Sequence, residues 1–394
     1  MRLLFVVSLT LLAACAVREQ VDFVQGPAAG TVRQEVLVGT TRGADPSQPV
    51  PGWSRSPDVS YGRYVVSIPP DREPGAIPRQ RSRSQADPQR HFMLAGTEAL
   101  DTPGFVSALR AELARQPSAQ REAVVFVHGF NTAFIEGVYR TAQLDHDLRI
   151  PGVMLHYSWP SLGAPLAYAH DRDSALFARD GLIDMLHQVR AAGPRRIILI
   201  GHSMGAHLTM EVLRQLALTR DPAMAAIGGV ILISPDIDVE LFRQKVRAIG
   251  PLPEPFLIVT SQRNRVLSLS ASLTAERTRL GNLSGAEEIA GLGVTLIDVS
   301  AFGTGAGHFT AGSSPALIRL FEQMNAFDLS LGQEISGTVP LLPATILTLQ
   351  NTTEIILNPL SGESRHGRRP VMPWWLRRLV MADDTLADAA SAAR

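Results

Sequence analysis

RIILI (Arg196–Ile200), GHSMG (Gly201–Gly205) and AHLTMEVLRQLAL (Ala206–Leu218) follow one another without a gap. The first string is a short β-branched run that reads as a strand buried on both faces. The third places Leu208, Val212 and Leu216 on one stripe and reads as a helix. The second fits G-x-S-x-G. A sharp strand-to-helix turn there exposes the Ser203 hydroxyl at the end of a sheet, with small residues on both sides relieving the crowding. The hydroxyl then lies beside a helix N-terminus, where amide N–H groups favour developing negative charge. Ser203 is the candidate nucleophile.

Working outward, strand-like runs recur at Ala123–Val127, Val153–Tyr157, Gly229–Ile233, Phe256–Val259 and Val294–Val299. Helical patterns at about Ala133–Leu148, Ser174–Ala192, Ala206–Leu218 and Val239–Ile249 separate most of them. This alternation predicts an α/β fold with a mostly parallel, doubly wound sheet and helices on both faces. Short strands at Val36–Gly39, Arg63–Ile68 and His91–Ala95 precede it, with a helix on Phe105, Leu109 and Leu113. Pro69 to Arg90, rich in Pro, Arg, Ser and Gln, reads as a long surface loop. A last helix is expected at Ser314–Asn325. The domain then spans residues 34–327, and 328–394 form an extension that is partly disordered.

A serine needs a base, and in the order nucleophile, acid, base the histidine follows the last strand. His308 does so, within the glycine-rich SAFGTGAGHF (Ser300–Phe309). The acid is sought after the two strands that follow the turn. Gly229–Ile233 leads into Ser234-Pro235-Asp236-Ile237-Asp238, which favours Asp236 with Asp238 as the alternative. Phe256–Val259 leads into TSQRNR (Thr260–Arg265), which offers Asn264 and no carboxylate. Upstream, Ala123–Val127 runs into His128-Gly129-Phe130. A turn there aims the Phe130 amide at the serine, so Phe130 and Met204 amides would form an oxyanion hole, with His128 structural. Trp159, Leu162, Leu166 and Tyr168 are candidates to line an acyl pocket, with Asp171, Arg172 and Asp173 locking that segment by ion pairs.

The chain has 394 residues, 37 basic and 37 acidic side chains, and one cysteine. The balance of charge argues against a general nucleic-acid binder. One cysteine excludes a disulfide framework and a Cys-rich metal site. No metal or cofactor is implied, and no phosphate-cradling glycine loop follows a strand. Leu3 to Ala14 is a largely apolar run of 12 residues behind Arg2. At helical rise it covers roughly 18 Å, too short to span a bilayer, so residues 1–14 read as a signal peptide and 15–33 as a tether. Arginines gather at Arg79, Arg81 and Arg83 and in RHGRRPVMPWWLRRL (Arg365–Leu379), which reads as a solvated tail.

The strings VFVHGFNTAF, AQLDHDL, YSWPS, YAHDRDSALFARD, IGHSMG and SPDIDVELFR resemble the α/β-hydrolase superfamily. More narrowly, they are similar to a bacterial family of esterase/lipase-like proteins of poorly defined function. The resemblance runs from about Val36 to Phe327, including YGRYVVSIPP. It implies a serine hydrolase acting on a small acyl ester or lipid. Members commonly carry an aspartate where this chain has Asn264, which moves the acid to Asp236 or weakens the triad. The latter would suit an idle hydrolase fold serving as an envelope scaffold. Leu12-Ala13-Ala14-Cys15 resembles the lipobox of bacterial lipoproteins and implies lipidation at Cys15 and a membrane anchor. Ala16, in place of the aspartate associated with inner-membrane retention, implies an outer membrane location facing the periplasm.

Overall fold

The apolar runs of the sequence become strands of one sheet in the computed structural model. It describes residues 21–24, 26, 28–80, 86–164, 166–262, 279–302, 310–315, 318, 344–349 and 352–357. The strands are β1 (Val32–Arg42), β2 (Arg55–Ile68), β3 (Met93–Leu100), β4 (Ala123–Val127), β5 (Val153–Ser158), β6 (Ile197–His202), β7 (Ile227–Ile233), β8 (Phe256–Thr260), β9 (Thr295–Asp298), β10 (Ala344–Leu349) and β11 (Thr352–Leu357). Their spatial order is β10-β11-β9-β8-β7-β6-β4-β5-β1-β2-β3. From β11 to β1 every neighbouring pair is parallel; β2, β3 and β10 are added by antiparallel pairing. The doubly wound α/β reading holds, and the fold is that of an α/β-hydrolase.

Helices α1 (Thr102–Arg115), α2 (Phe134–Leu148), α3 (Tyr168–Phe177), α4 (Arg179–Ala192), α5 (Met204–Thr219) and α6 (Val239–Ile249) connect the strands. Strand β4 shows why its run is apolar throughout. Ala123, Val125 and Val127 join the core formed with α1, α4, α5 and α6, while Val124 and Phe126 pack on the opposite face. Phe134, Ile135 and Val138 of α2 close a third cluster against β1 and β2. Each central strand thus has no polar face to offer water.

Three parts of the chain differ from the sequence reading. The single helix expected at Ser174–Ala192 begins earlier and is split in two at Ala178, whose carbonyl accepts the Tyr157 hydroxyl at 2.7 Å. The loop after β2 is no free surface excursion: Arg72 and Arg79 form ion pairs with Asp147 and Glu136 of α2. The extension contributes structure, because β10 and β11 form a hairpin whose second strand pairs with β9. Alternation in ATILTL and TTEIIL, each of six residues, suits a hairpin; the prolines beside it masked that pattern. Among the described residues no helix is long and apolar enough to cross a membrane.

Candidate active site

Strands β4 and β6 are neighbours whose successors lie on opposite sides, β5 toward β1 and β7 toward β9. Such a switch point opens a crevice beyond the carboxyl ends of both strands. The two motifs read from the sequence lie there, His128-Gly129-Phe130 after β4 and Ser203 after β6.

Ser203 has φ +53° and ψ −119°, a region that serine seldom occupies. Such strain costs about 1–3 kcal/mol and persists only where the surroundings impose it. Here the backbone imposes it from both sides. The Ser203 amide donates to the Ile233 carbonyl at 2.9 Å, and the Ser203 carbonyl accepts the amides of Ala206 at 3.0 Å and Asp236 at 3.2 Å. Met204 is the first residue of α5, where an amide has no carbonyl partner within its own helix. The side chain of Ser203 is recessed; the residue is 2% exposed.

The two turns touch. A Cβ added to Gly129 would stand 3.0 Å from the Ser203 Cβ and 2.7 Å from the His202 ring. One added to Gly205 would stand 2.2 Å from the His128 carbonyl oxygen. Both glycines are required by close approach, which sets the backbone at Gly129, one residue before Phe130, beside the serine. His128 lies beneath, stacked on Trp159 at 4.7 Å between ring centroids. Burial, then the charges of Arg42 and His156, hold its pKa well below 6.5. A neutral ring donates through one nitrogen only, to the carbonyl of Gly129 or of Trp159. His128 is therefore placed as a structural residue. Trp159 is wholly buried, and its indole N–H donates to the His128 carbonyl at 2.7 Å. The structure makes Trp159 a brace under the turn rather than a wall of an acyl pocket.

Two charged side chains set the loops around this turn. Arg42, at the end of β1, donates to the Ser158 hydroxyl and to the carbonyls of Gly52, Ser161 and Thr132. Asp171 of α3 is fully buried and accepts from the Ser161 hydroxyl, the Leu162 amide and the Asn131 amide at 2.6, 2.9 and 3.3 Å. Asp171 thus locks the segment through hydrogen bonds to backbone and hydroxyl groups, and no ion pair to Arg172 is needed. Sequence reading missed Arg42 altogether. It has no motif, and its partners Thr132, Ser158 and Ser161 lie about 90 to 120 residues away.

Asp236 and Asp238 separate clearly. Asp238 caps α6, its carboxylate accepting the Leu241 amide at 2.9 Å. Asp236 lies in the loop bonded to Ser203; its carboxylate accepts the Tyr168 hydroxyl at 2.9 Å and faces Arg279 Nε at 3.2 Å. Tyr168 also stands edge-on to Phe130, with 5.5 Å between ring centroids. Leu162 is half-buried, and Leu166 is 96% exposed. His308, Asn264 and Cys15 lie outside the described residues. Among the described residues no group of three or more His, Cys, Asp or Glu side chains is arranged to hold a metal ion.

Residues 106–324 match the family described as alpha/beta hydrolase of unknown function (DUF900). The chain belongs to this family. The match takes in both turns, Asp171, Asp236 and His308, and stops short of the β10–β11 hairpin. No curated protein matches the chain. Among solved structures, this alpha/beta hydrolase is similar to a cutinase-like protein from Cryptococcus sp., with 15% identity and a TM-score of 0.27. That alignment covers 51% of this chain and 90% of the other. At so low a score the likeness carries no weight for function.

Proposed function

We propose that this alpha/beta hydrolase is a serine carboxylic-ester hydrolase of esterase/lipase type, acting through an acyl-enzyme. The observation that carries the reading is the strained Ser203 backbone pressed against the glycine turn of β4. A chain gains nothing in stability from that conformation, whereas a nucleophile gains exposure to two converging backbone amides. In the reaction, Ser203 Oγ attacks the acyl carbon and passes its proton to His308. The amides of Phe130 and Met204 stabilise the oxyanion. Collapse expels the alcohol, which takes the proton from His308, and water then releases the acid by the same route in reverse.

Asp236 is the acid in this reading. Its loop adjoins the nucleophile, whereas the Asp238 carboxylate is committed to the helix cap. The Asp236 carboxylate accepts the Tyr168 hydroxyl and faces Arg279, and a carboxylate offers about four acceptor sites in all. Kinetics on p-nitrophenyl butyrate test the assignment. Ser203→Ala is expected to abolish turnover. Asp236→Ala is expected to lower kcat by about 10³–10⁴ through loss of imidazole orientation, and Asp238→Ala to leave kcat within a few-fold while lowering stability by about 1 kcal/mol. A large loss of kcat in Asn264→Ala alone would transfer the role to Asn264.

We also propose that Cys15 is lipidated and tethers the enzyme to the outer membrane on its periplasmic side. Each buried methylene contributes about 0.8 kcal/mol, so two or more acyl chains anchor firmly. Metabolic labelling with palmitate, lost in Cys15→Ser, is the expected result.

A further inference from the structure

The chain passes from β4 to α2 through Phe130-Asn131-Thr132-Ala133, and its backbone there is pinned group by group. The Asn131 amide donates to Asp171 Oδ2 at 3.3 Å, the Thr132 amide to Ser161 Oγ at 3.1 Å, and the Ala133 amide to Glu136 Oε2 at 3.0 Å. Thr132 Oγ1 donates to the Phe130 carbonyl at 3.2 Å, and Arg42 Nη2 donates to the Thr132 carbonyl at 2.8 Å. Asn131 is held at φ +53°, a left-handed conformation that asparagine tolerates better than most residues. Among the described residues, the Phe130 amide alone of these four donates to no protein group.

Ser161 joins these contacts. Its hydroxyl donates to Asp171 at 2.6 Å while accepting the Thr132 amide, and its carbonyl accepts Arg42 Nη1 at 2.9 Å. Asp171 and Ser161 are fully buried, and Arg42 is 2% exposed. A carboxylate and a guanidinium are thus taken out of water and linked through one serine, an arrangement whose desolvation is costly. Capping α2 requires only the Glu136 contact. The other contacts act on Phe130, Asn131 and Thr132, which lie before the helix. They fix the Phe130–Asn131 peptide at both ends, its carbonyl by Thr132 and its N–H by Asp171. Helix α3 meets this turn twice, because Tyr168, one turn before Asp171, packs its ring on that of Phe130.

We propose that Asp171, Ser161 and Arg42 are positioning residues for the chemical step: they hold the turn so that the Phe130 N–H stays uncommitted and meets the oxyanion formed when Ser203 attacks. None of the three touches the substrate. This role rests on the serine-hydrolase reading and supplies what keeps one of its oxyanion donors in place. A preorganised donor counts where charge develops, so its misplacement is felt in kcat and not in ground-state binding.

The test uses the full chain with p-nitrophenyl butyrate, each rate being referred to the folded fraction read by near-UV circular dichroism. Ser161→Ala removes the joint without changing any charge, and Asp171→Asn keeps the shape but turns one acceptor into a donor. Each is expected to lower kcat by about 10- to 100-fold while KM stays within about three-fold. Thr132→Val deletes one half-buried hydroxyl, and with it the pin on the Phe130 carbonyl; it should lower kcat by about three-fold or more. An alkyl trifluoromethyl ketone forms a tetrahedral adduct on the serine, and its Ki should rise by the factor by which kcat/KM falls. Ser161→Ala should leave the pH profile of kcat/KM unmoved. If Ser161→Ala and Asp171→Asn fail to fold, Thr132→Val decides. With an active parent, kcat and ketone Ki within about two-fold of parental values in the folded variants would overturn the role. Activity that falls only with the folded fraction makes the contacts a staple for the fold and overturns it too. A shifted pH profile in Ser161→Ala would place their action on the base and likewise overturn it. A parent that cleaves no ester and takes no fluorophosphonate would sink the hydrolase reading and this role with it.

Discussion

At the scale of single residues, the site depends on what is missing as much as on what is present. Gly129 and Gly205 have no side chain because the turns after β4 and β6 meet where a Cβ would stand. The obstacle for Gly205→Ala is the backbone carbonyls of His128 and Val127, which cannot rotate away as a side chain would. That substitution should cost about 1–3 kcal/mol of stability and separate the two amides proposed to serve the oxyanion. Gly129→Ala meets the Ser203 Cβ and the His202 ring; it should cost about 10²-fold or more in kcat with a smaller stability loss, as read by urea unfolding beside p-nitrophenyl ester kinetics. Equal kcat in both variants and the parent would detach these turns from catalysis. The turns that carry Phe130, Ser203 and Met204 were legible because a local string fixes them. Arg42 and Arg279 were not, since their positions are set by chain segments far apart in sequence.

At the scale of elements, the central strands were legible because burial on both faces leaves a plain apolar run. Boundaries were less so: β1 and β2 extend well beyond the apolar residues that announced them, because their outer halves pair in an antiparallel ladder and tolerate polar side chains. The β10–β11 hairpin was missed for a related reason. Six-residue strands flanked by prolines carry too weak a periodic signal, and their place at the sheet edge follows only from pairing with β9. That pairing buries Ile355, and Ile355→Ala should lower stability by about 2–5 kcal/mol. A change below about 0.5 kcal/mol in chemical denaturation would show the hairpin to be dispensable to the fold.

At the scale of the whole molecule, three buried histidines tie stability to pH. Burial holds His156 and His207 down to about 3 and His128 well below 6.5. In the unfolded chain the same rings protonate near 6.5. The unfolded chain therefore binds more protons as pH falls, and the stability present above about 6.5 is lost progressively toward 3. Each ring contributes a slope of up to about 1.4 kcal/mol per pH unit in that window. Urea midpoints should drop steeply from pH 7 to pH 5; a flat profile would mean that these rings take up protons inside the fold. The neutral total charge of the sequence hides this dependence, because it does not tell which histidines are enclosed.

An activated serine at the switch point of the sheet reacts with a fluorophosphonate, and mass spectrometry maps the adduct. A single adduct is expected on Ser203 in folded protein, with none after denaturation and none in Ser203→Ala. A folded protein that takes no label, or takes it at another residue, would contradict it.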